Sequence, residues 1–399
     1  MKILILNSGS SSIKYKLFEM PGERIIAKGL VEKIGEKSSK INHDAGGKKS
    51  EKEEQINNHE KGLKLIIDLL VDENIGVIKN VSEISAVGHR VVHGGEAFTD
   101  SVIITDEVVK AIQEFIYLAP LHNPPNLAGI KAARELLPRV TQVASFDTSF
   151  HQTIPKTAYL YAIPYEFYEK HKIRKYGFHG TSHRYIARRA AELMKKDKYG
   201  INAITCHLGN GCSISAVEKG KSVDTSMGLT PLEGIIMGTR SGDIDPAIIF
   251  FLEEKAGIKI NEINNILNKK SGLLGVSGVS NDVRNIENAA KQGNERAKLS
   301  LDMFCYRIKK YIGSYMVVLN KVDAIVFTGG IGENAVDLRA QICGHMEFWG
   351  IKIDKNRNES KEKEKIISTD DSKVKVFVIP TDEEVRIAVD TFEMVSRKK

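Results

Sequence analysis

Cysteine is scarce: the 399 residues hold four, Cys206, Cys212, Cys305 and Cys343, and none forms a C-x-x-C pair. Zinc-ribbon and thioredoxin chemistry therefore lack a frame, and scattered free thiols suit a reducing compartment. Long apolar runs are missing as well. The opening MKILILN carries an apolar core far shorter than a signal-peptide h-region, and nothing approaches the length of a membrane span. There is a single Trp and no Arg/Lys block interleaved with aromatics, so nucleic acid is not an expected partner. The net charge of +7, from 58 basic and 51 acidic residues, is a mild bias that suits small anionic substrates. What remains is the expectation of a soluble cytoplasmic protein with room for two or three domains.

What is present begins with NSGSSSIK. Ile3 to Leu6 enter a polar knot, Asn7 to Ser12, and the chain leaves as Ile13 to Phe18, where Ile13, Tyr15 and Leu17 alternate with Lys14 and Lys16. That spacing predicts a strand, a turn and a second strand. A polar turn is the plain reading. The hydroxyls of Ser10 and Ser12, exposed N–H groups and Lys14 can equally wrap an anion. The plan recurs at 201–217: INAITCHL, then GNG, then CSISAV. Two lobes, each opening on such a hairpin, would make a cleft for a nucleotide.

Between the hairpins, residues 35–60 are the most polar stretch and predict a solvated loop or edge hairpin. Leu63, Ile66, Ile67, Leu70 and Val71 mark an amphipathic helix. Strands are expected at 86–92 and 140–146, with helices at 105–117 and 126–136, the second following Pro124-Pro125. Later come helices near 246–256 and across 286–320, a strand at 324–328, a GGIGEN loop, a helix at 335–346 and a strand at 374–379. A last helix runs to the C-terminus. This alternation predicts an α/β protein with mixed sheets.

Two motifs mislead. Gly220-Lys221-Ser222 ends like a Walker A loop, but Ser215 stands where its first glycine is required. Gly330-Ile-Gly332-Glu-Asn-Ala335 matches a dinucleotide fingerprint, with Asp354 downstream, yet lies too late in the chain for a dehydrogenase domain. Its geometry still suits an adenosine. Arg90, within an apolar run, and Arg240, in Gly238-Thr-Arg-Ser-Gly242, are candidate anion clamps or structural ion-pair partners. His93, His122 and His179 stand beside turns, and Asp147 ends a strand. Thr381-Asp-Glu-Glu384 reads as a capping box, which leaves Glu383 available for a metal.

Taken together, LNSGSSSIK, HRVVHGG, PLHNPPN, FDTSFH, YGFHGTSH, HLGNGCSI, DTSMGLTPLEGIIMGTRSGDIDP, FTGGIGEN and PTDEE closely resemble the acetate kinases, in the superfamily of acetate and sugar kinases, Hsp70 and actin. The resemblance covers essentially the whole chain. It implies two similar lobes of the actin-like ATPase (ribonuclease H-like) type. The N-terminal lobe would be 1–148 plus 383–399, on the acyl and metal side, and the C-terminal lobe 149–382, on the nucleotide side.

The resemblance further implies reversible phosphoryl transfer from ATP to acetate, giving acetyl phosphate and ADP, with Mg²⁺ (or Mn²⁺) held by Asn7 and Glu383. Arg90 would hold acetate or acetyl phosphate. Asp147 would be the acid/base residue, and His179 and Arg240 would stabilise the transition state. Val92, Leu121, His122, Phe178 and Pro231 would line the acyl site. Ser10, Ser12 and Lys14 would face phosphate. The nucleotide would meet His207, Leu208, Gly209, Asn210 and Gly211, then Asp282, Val283 and Arg284, then Gly330, Ile331, Gly332, Glu333 and Asn334. A homodimer is implied too. Ser8 stands where many relatives carry Cys. Acetate is already ionised at neutral pH, so Asp147 is read here as positioning a partner such as Arg90 rather than moving a proton. Competing readings are a propionate or butyrate kinase and a non-enzymatic ATP-binding module.

Overall fold

The computed structural model describes residues 1–197 and 199–397. The chain divides into two compact units, Met1–Gln152 with Asp382–Lys399, and Thr153–Thr381.

In the first unit the strands are β1 (Lys2–Gly9), β2 (Ser12–Glu19), β3 (Arg24–Glu32), β4 (Ser39–Ala45), β5 (Lys48–Glu54), β6 (Ile84–Val91), β7 (Val102–Ile103) and β8 (Thr141–Phe146). They form one sheet in the order β5-β4-β3-β2-β1-β6-β8-β7. Alternation in β2 sends Ile13, Tyr15 and Leu17 into the core and leaves Lys14 exposed. β1 pairs antiparallel with β2 and parallel with β6, which in turn runs parallel to β8. The polar stretch 35–60 is the edge hairpin β4–β5. Its outer strand, KKSEKEE, has no buried residue, and such charge deters edge-to-edge pairing.

The helices flank this sheet. His59–Val71 is capped by the Asn58 side chain and buries Leu63, Ile66, Ile67 and Leu70. Asp106–Glu114 is capped by Thr105. The next helix starts earlier than expected, at Asn123, with its prolines in the first turn, where their missing N–H costs nothing. The last helix, expected to reach the chain end, is seen over Glu383–Ser396, and positions 398 and 399 lie outside the described residues. It places Ile387 and Ala388 against Ile3, Ile5 and Ala86.

The second unit has β9 (Asn202–Leu208), β10 (Cys212–Glu218), β11 (Lys221–Thr225), β12 (Ala324–Thr328), β13 (Lys365–Ile366) and β14 (Lys375–Val378), ordered β11-β10-β9-β12-β14-β13. β9 pairs antiparallel with β10 and parallel with β12, and β12 runs parallel to β14. This repeats the centre of the first sheet, β3-β2-β1-β6-β8, strand for strand. Gly220-Lys221-Ser222 lies at the turn between β10 and β11 and into β11, not before a helix.

Two expectations need correction. The span 286–320 is two helices, Val283–Lys291 and Glu295–Leu319, interrupted at Gly293, whose φ of 90° no helix accommodates. GGIGEN is not a loop but a short helix, Gly329–Asn334. Helix Gly180–Leu193 had no counterpart among the expected elements.

Candidate active site

In the first unit the site residues gather at the C-terminal ends of three parallel strands, where open α/β sheets place their ligands. Asn7 lies towards the end of β1, Arg90 towards the end of β6 and Asp147 just past β8. Arg90 donates to both Asp147 oxygens, from Nε at 3.1 Å and Nη2 at 2.6 Å. Its Nη1 lies 3.5 Å from Asn7 Oδ1, and Glu383 Oε2 is 3.6 Å from its Nε. Burial works against the Arg90 charge, but the Asp147 and Glu383 carboxylates outweigh it and hold the guanidinium pKa above its usual value. Burial pushes the Asp147 carboxyl up, and Arg90 opposes that.

The capping-box expectation at Thr381 fails. Asp382 is the N-cap, its carboxylate accepting from Val385 N. Glu384 instead accepts Lys14 Nζ at 2.6 Å and Lys16 Nζ at 3.4 Å, so the helix start is tied to the second strand of the opening hairpin. Burial opposes the Glu384 charge, but Lys16 and Lys14 outweigh it and pull the carboxyl down to about 2. Lys14 is thus engaged by Glu384, while Ser10 sits exposed in the turn and Ser12 opens β2. Ser8 is buried, its oxygen 2.2 Å from where a Cβ on Gly129 would fall. Only glycine lets helix Asn123–Leu136 approach the hairpin there. Of the acyl-site candidates in this unit, Val92 is buried, Leu121 is exposed and His122 precedes the helix.

In the second unit His179 stands before helix Gly180–Leu193 in a left-handed conformation, φ 57° and ψ 23°, rare for histidine. Its ring stacks on His207 at 4.3 Å, and its Nδ1 is 2.9 Å from Ser213 Oγ. His207 Nδ1 is 2.8 Å from Ser182 Oγ, itself 2.8 Å from Thr381 Oγ1. Arg240 Nη1 donates to the Pro231 carbonyl at 3.1 Å, and burial lowers the guanidinium pKa. A Cβ built on Gly211 would lie 3.4 Å from Arg240 Nη1 and 3.5 Å from His179 Nε2. The second hairpin's glycine therefore leaves a gap lined by two site residues. Phe178 is buried in this unit.

A cavity of about 590 Å³ lies beside that hairpin, lined by Gly209, Asn210, Asp282, Val283, Arg284, Gly330, Ile331 and Asn334. Three further residues, Asn281, Glu287 and Ala335, complete the lining. The volume falls within the range of small-molecule sites. Asp282 caps helix Val283–Lys291 and clamps the Arg284 guanidinium, with Nη2 to Oδ2 at 2.6 Å. Asn281 Nδ2 donates to Asn210 Oδ1 at 3.0 Å. Leu208 and Gly332 are buried and Glu333 Oε1 accepts from Gly329 N at 3.0 Å, and these three, like His207 and Gly211, do not line the cavity. Sequence reasoning missed Asn281 and Glu287, and read Ala335 only as the last position of the G-x-G-x-x-A match. They adjoin recognised motifs, and Glu287 lies one helical turn beyond Val283.

Among the described residues no group of three or more His, Cys, Asp or Glu side chains is disposed to hold a metal. Asn7 and Glu383 nevertheless flank Arg90 with hard oxygen donors. A site with one carboxylate, completed by water and phosphate, is what Mg²⁺ commonly uses. No helix among the described residues is long and apolar enough to cross a membrane.

A mixed-sheet unit repeated in the chain, each copy opening on a strand–turn–strand hairpin, with a cavity of small-molecule size beside the second, defines a protein of the actin-like ATPase fold class. The comparisons make the class specific. Residues 2–389 match the model of the acetokinase family, and the chain belongs to that family. It is 59% identical over 400 residues to an acetate kinase of Thermotoga maritima, covering 100% of this chain and 99% of that one. The crystal structure of Porphyromonas gingivalis acetate kinase, 51% identical, superposes with a TM-score of 0.95 over 99% of each chain. A propionate kinase from Francisella tularensis, 44% identical, gives 0.91 over 98% of this chain and 99% of that one.

Proposed function

We propose that the chain catalyses reversible transfer of the γ-phosphoryl group of ATP to acetate, giving acetyl phosphate and ADP. The observation that carries this reading is the acetokinase-family match across residues 2–389, which spans both units.

The cavity beside the second hairpin takes the nucleoside, and Gly209 to Gly211 take its phosphates. Arg90 binds the acetate carboxylate. Its Nε and Nη2 are committed to Asp147, which fixes the plane of the guanidinium, and Nη1, held by Asn7 Oδ1 only at a long 3.5 Å, is the nitrogen that turns to the substrate. An ionised carboxylate needs no base, so Asp147 positions Arg90 rather than moving a proton. Phosphoryl transfer asks for alignment and for charge neutralisation on the equatorial oxygens, and Arg240 and His179 supply donors for these. Asn7 and Glu383 hold Mg²⁺, or Mn²⁺ on the same donors, which when bound neutralises phosphate charge. Val92, Leu121, His122, Phe178 and Pro231 shape the acyl site.

The test is trapping of acyl phosphate with hydroxylamine, using ATP with acetate, propionate or butyrate in turn. Acetate is expected to react fastest. A small apolar pocket separates substrates by only about 1–3 kcal/mol per methylene, so propionate should turn over more slowly but measurably. Fastest turnover of propionate would favour the second reading, a propionate kinase, which the Francisella likeness supports. No acyl phosphate from any acid would overturn both.

The working protein is a cytoplasmic homodimer. All four cysteines are free and buried, as in a reducing compartment. Helix Ala247–Glu254, AIIFFLEE, buries none of its residues and exposes Ile248, Phe250 and Phe251, the kind of apolar face a second copy would cover.

A further inference from the structure

Behind His179 lies a chain of side chains that the transfer reaction does not touch. Ser213 Oγ is 2.9 Å from His179 Nδ1 and 2.7 Å from His183 Nε2. His183 Nδ1 is 2.7 Å from Thr205 Oγ1, and Thr205 Oγ1 lies 3.4 Å from the Ser215 carbonyl. Ser213, His183 and Thr205 are all fully buried. The path runs from the site edge into the core along β10, helix Gly180–Leu193 and β9.

Such a chain has two polarities. In one, the Thr205 hydroxyl donates to His183 Nδ1, His183 Nε2–H donates to Ser213, and Ser213 donates to His179 Nδ1. The proton of neutral His179 then sits on Nε2. In the other, every donor reverses, and the Thr205 hydroxyl must turn to the Ser215 carbonyl. The three inner bonds are equally short either way, so the far end decides. In the first polarity the Thr205 hydroxyl proton is used in the 2.7 Å bond to His183, whereas in the second it has only the Ser215 carbonyl at 3.4 Å, near the limit of a hydrogen bond. An under-used buried hydroxyl is costly.

We infer that Thr205, His183 and Ser213 are positioning residues that hold neutral His179 as its Nε2–H tautomer, making it a hydrogen-bond donor to an anion without a full charge. This rests on the proposed role of His179 in phosphoryl transfer. The Cε1–Nε2 edge of the ring is the one next to Gly211, and Arg240 Nη1 faces the same position. The gap is then lined by donors, which is what a trigonal phosphoryl group requires. A titratable neighbour, His207, stacks on the ring at 4.3 Å, where a second positive charge would be unfavourable. A neutral donor avoids that repulsion.

The test uses the full-length protein with ¹⁵N-labelled histidine, above the imidazole titration range. His179 and His183 should each show a bare Nδ1 and a protonated Nε2. A protonated Nδ1 on His179 would overturn the inference whatever the enzyme's activity, while failure to form acyl phosphate would overturn only the functional reading. Two variants separate positioning from packing. Thr205→Val keeps the shape and removes the hydroxyl, and should give mixed tautomers and a kcat reduced about two- to fivefold with both KM values unchanged. Thr205→Ser keeps the hydroxyl and should retain the wild-type ring signals. Wild-type tautomers in Thr205→Val would show that the chain does not set them.

Discussion

At the scale of single residues, the two arginines do different work. Arg90 is neutralised by Asp147 at 2.6 Å. Arg240 instead donates to the Pro231 carbonyl and the Met237 sulfur, and burial disfavours its charge. A cation placed in this way gains most when negative charge arrives beside it. Arg240→Lys should therefore lower kcat about 100-fold or more while the KM for ATP changes little, because a point charge cannot replace the guanidinium fork. Steady-state kinetics with ATP varied will check this, and equal losses in both parameters would argue for ground-state binding instead. Asp147→Asn keeps the shape but frees Arg90. The expected result is a higher KM for acetate and a lower kcat, with both limbs of the pH–rate profile retained. Disappearance of one limb would make Asp147 a proton-transfer group after all.

At the scale of elements, Glu384 joins the C-terminal helix to the opening hairpin. Its carboxyl sits at about 2 in the folded protein, below the ordinary 4.5. The unfolded chain binds the proton more tightly, so this contribution is fully present above about pH 4.5 and is lost as pH falls towards 2. Glu384→Gln should cost up to about 3 kcal/mol at neutral pH and should flatten the acid loss across that window, as read by urea unfolding at several pH values. Nothing local in PTDEE announces this role, because Lys14 and Glu384 are 370 residues apart in the chain. Local pattern did reveal the two hairpins, since period-two alternation and glycine knots are short-range signals. It misjudged Thr381 because Asp382, one residue later, caps equally well. It took GGIGEN for a loop because glycine is a poor helix former, yet the helix is held by Glu333 accepting from Gly329 N. His183 was legible in principle, lying one helical turn beyond His179 in HGTSH, but its link through Ser213 needs the fold.

At the scale of the whole molecule, helix Ala247–Glu254 presents an apolar face to solvent. Phe250 and Phe251 are 61% and 63% exposed, and in the same unit Val317 is 76% exposed. Scattered apolar side chains are ordinary on a surface, but two adjacent phenylalanines on a helix with no buried residue are not. Hydrophobic burial of such anchors is what stabilises most association, and a glutamate at each would have to be desolvated for a second copy to dock. On the proposed dimer, the double variant Phe250→Glu/Phe251→Glu should therefore sediment as a monomer at concentrations where the unsubstituted chain sediments as two copies. Both units belong to one chain, so the monomer should still form acetyl phosphate from acetate and ATP. A variant that remains dimeric would place the interface elsewhere, and a monomer that forms no acetyl phosphate while keeping its fold would mean that the second copy completes the site.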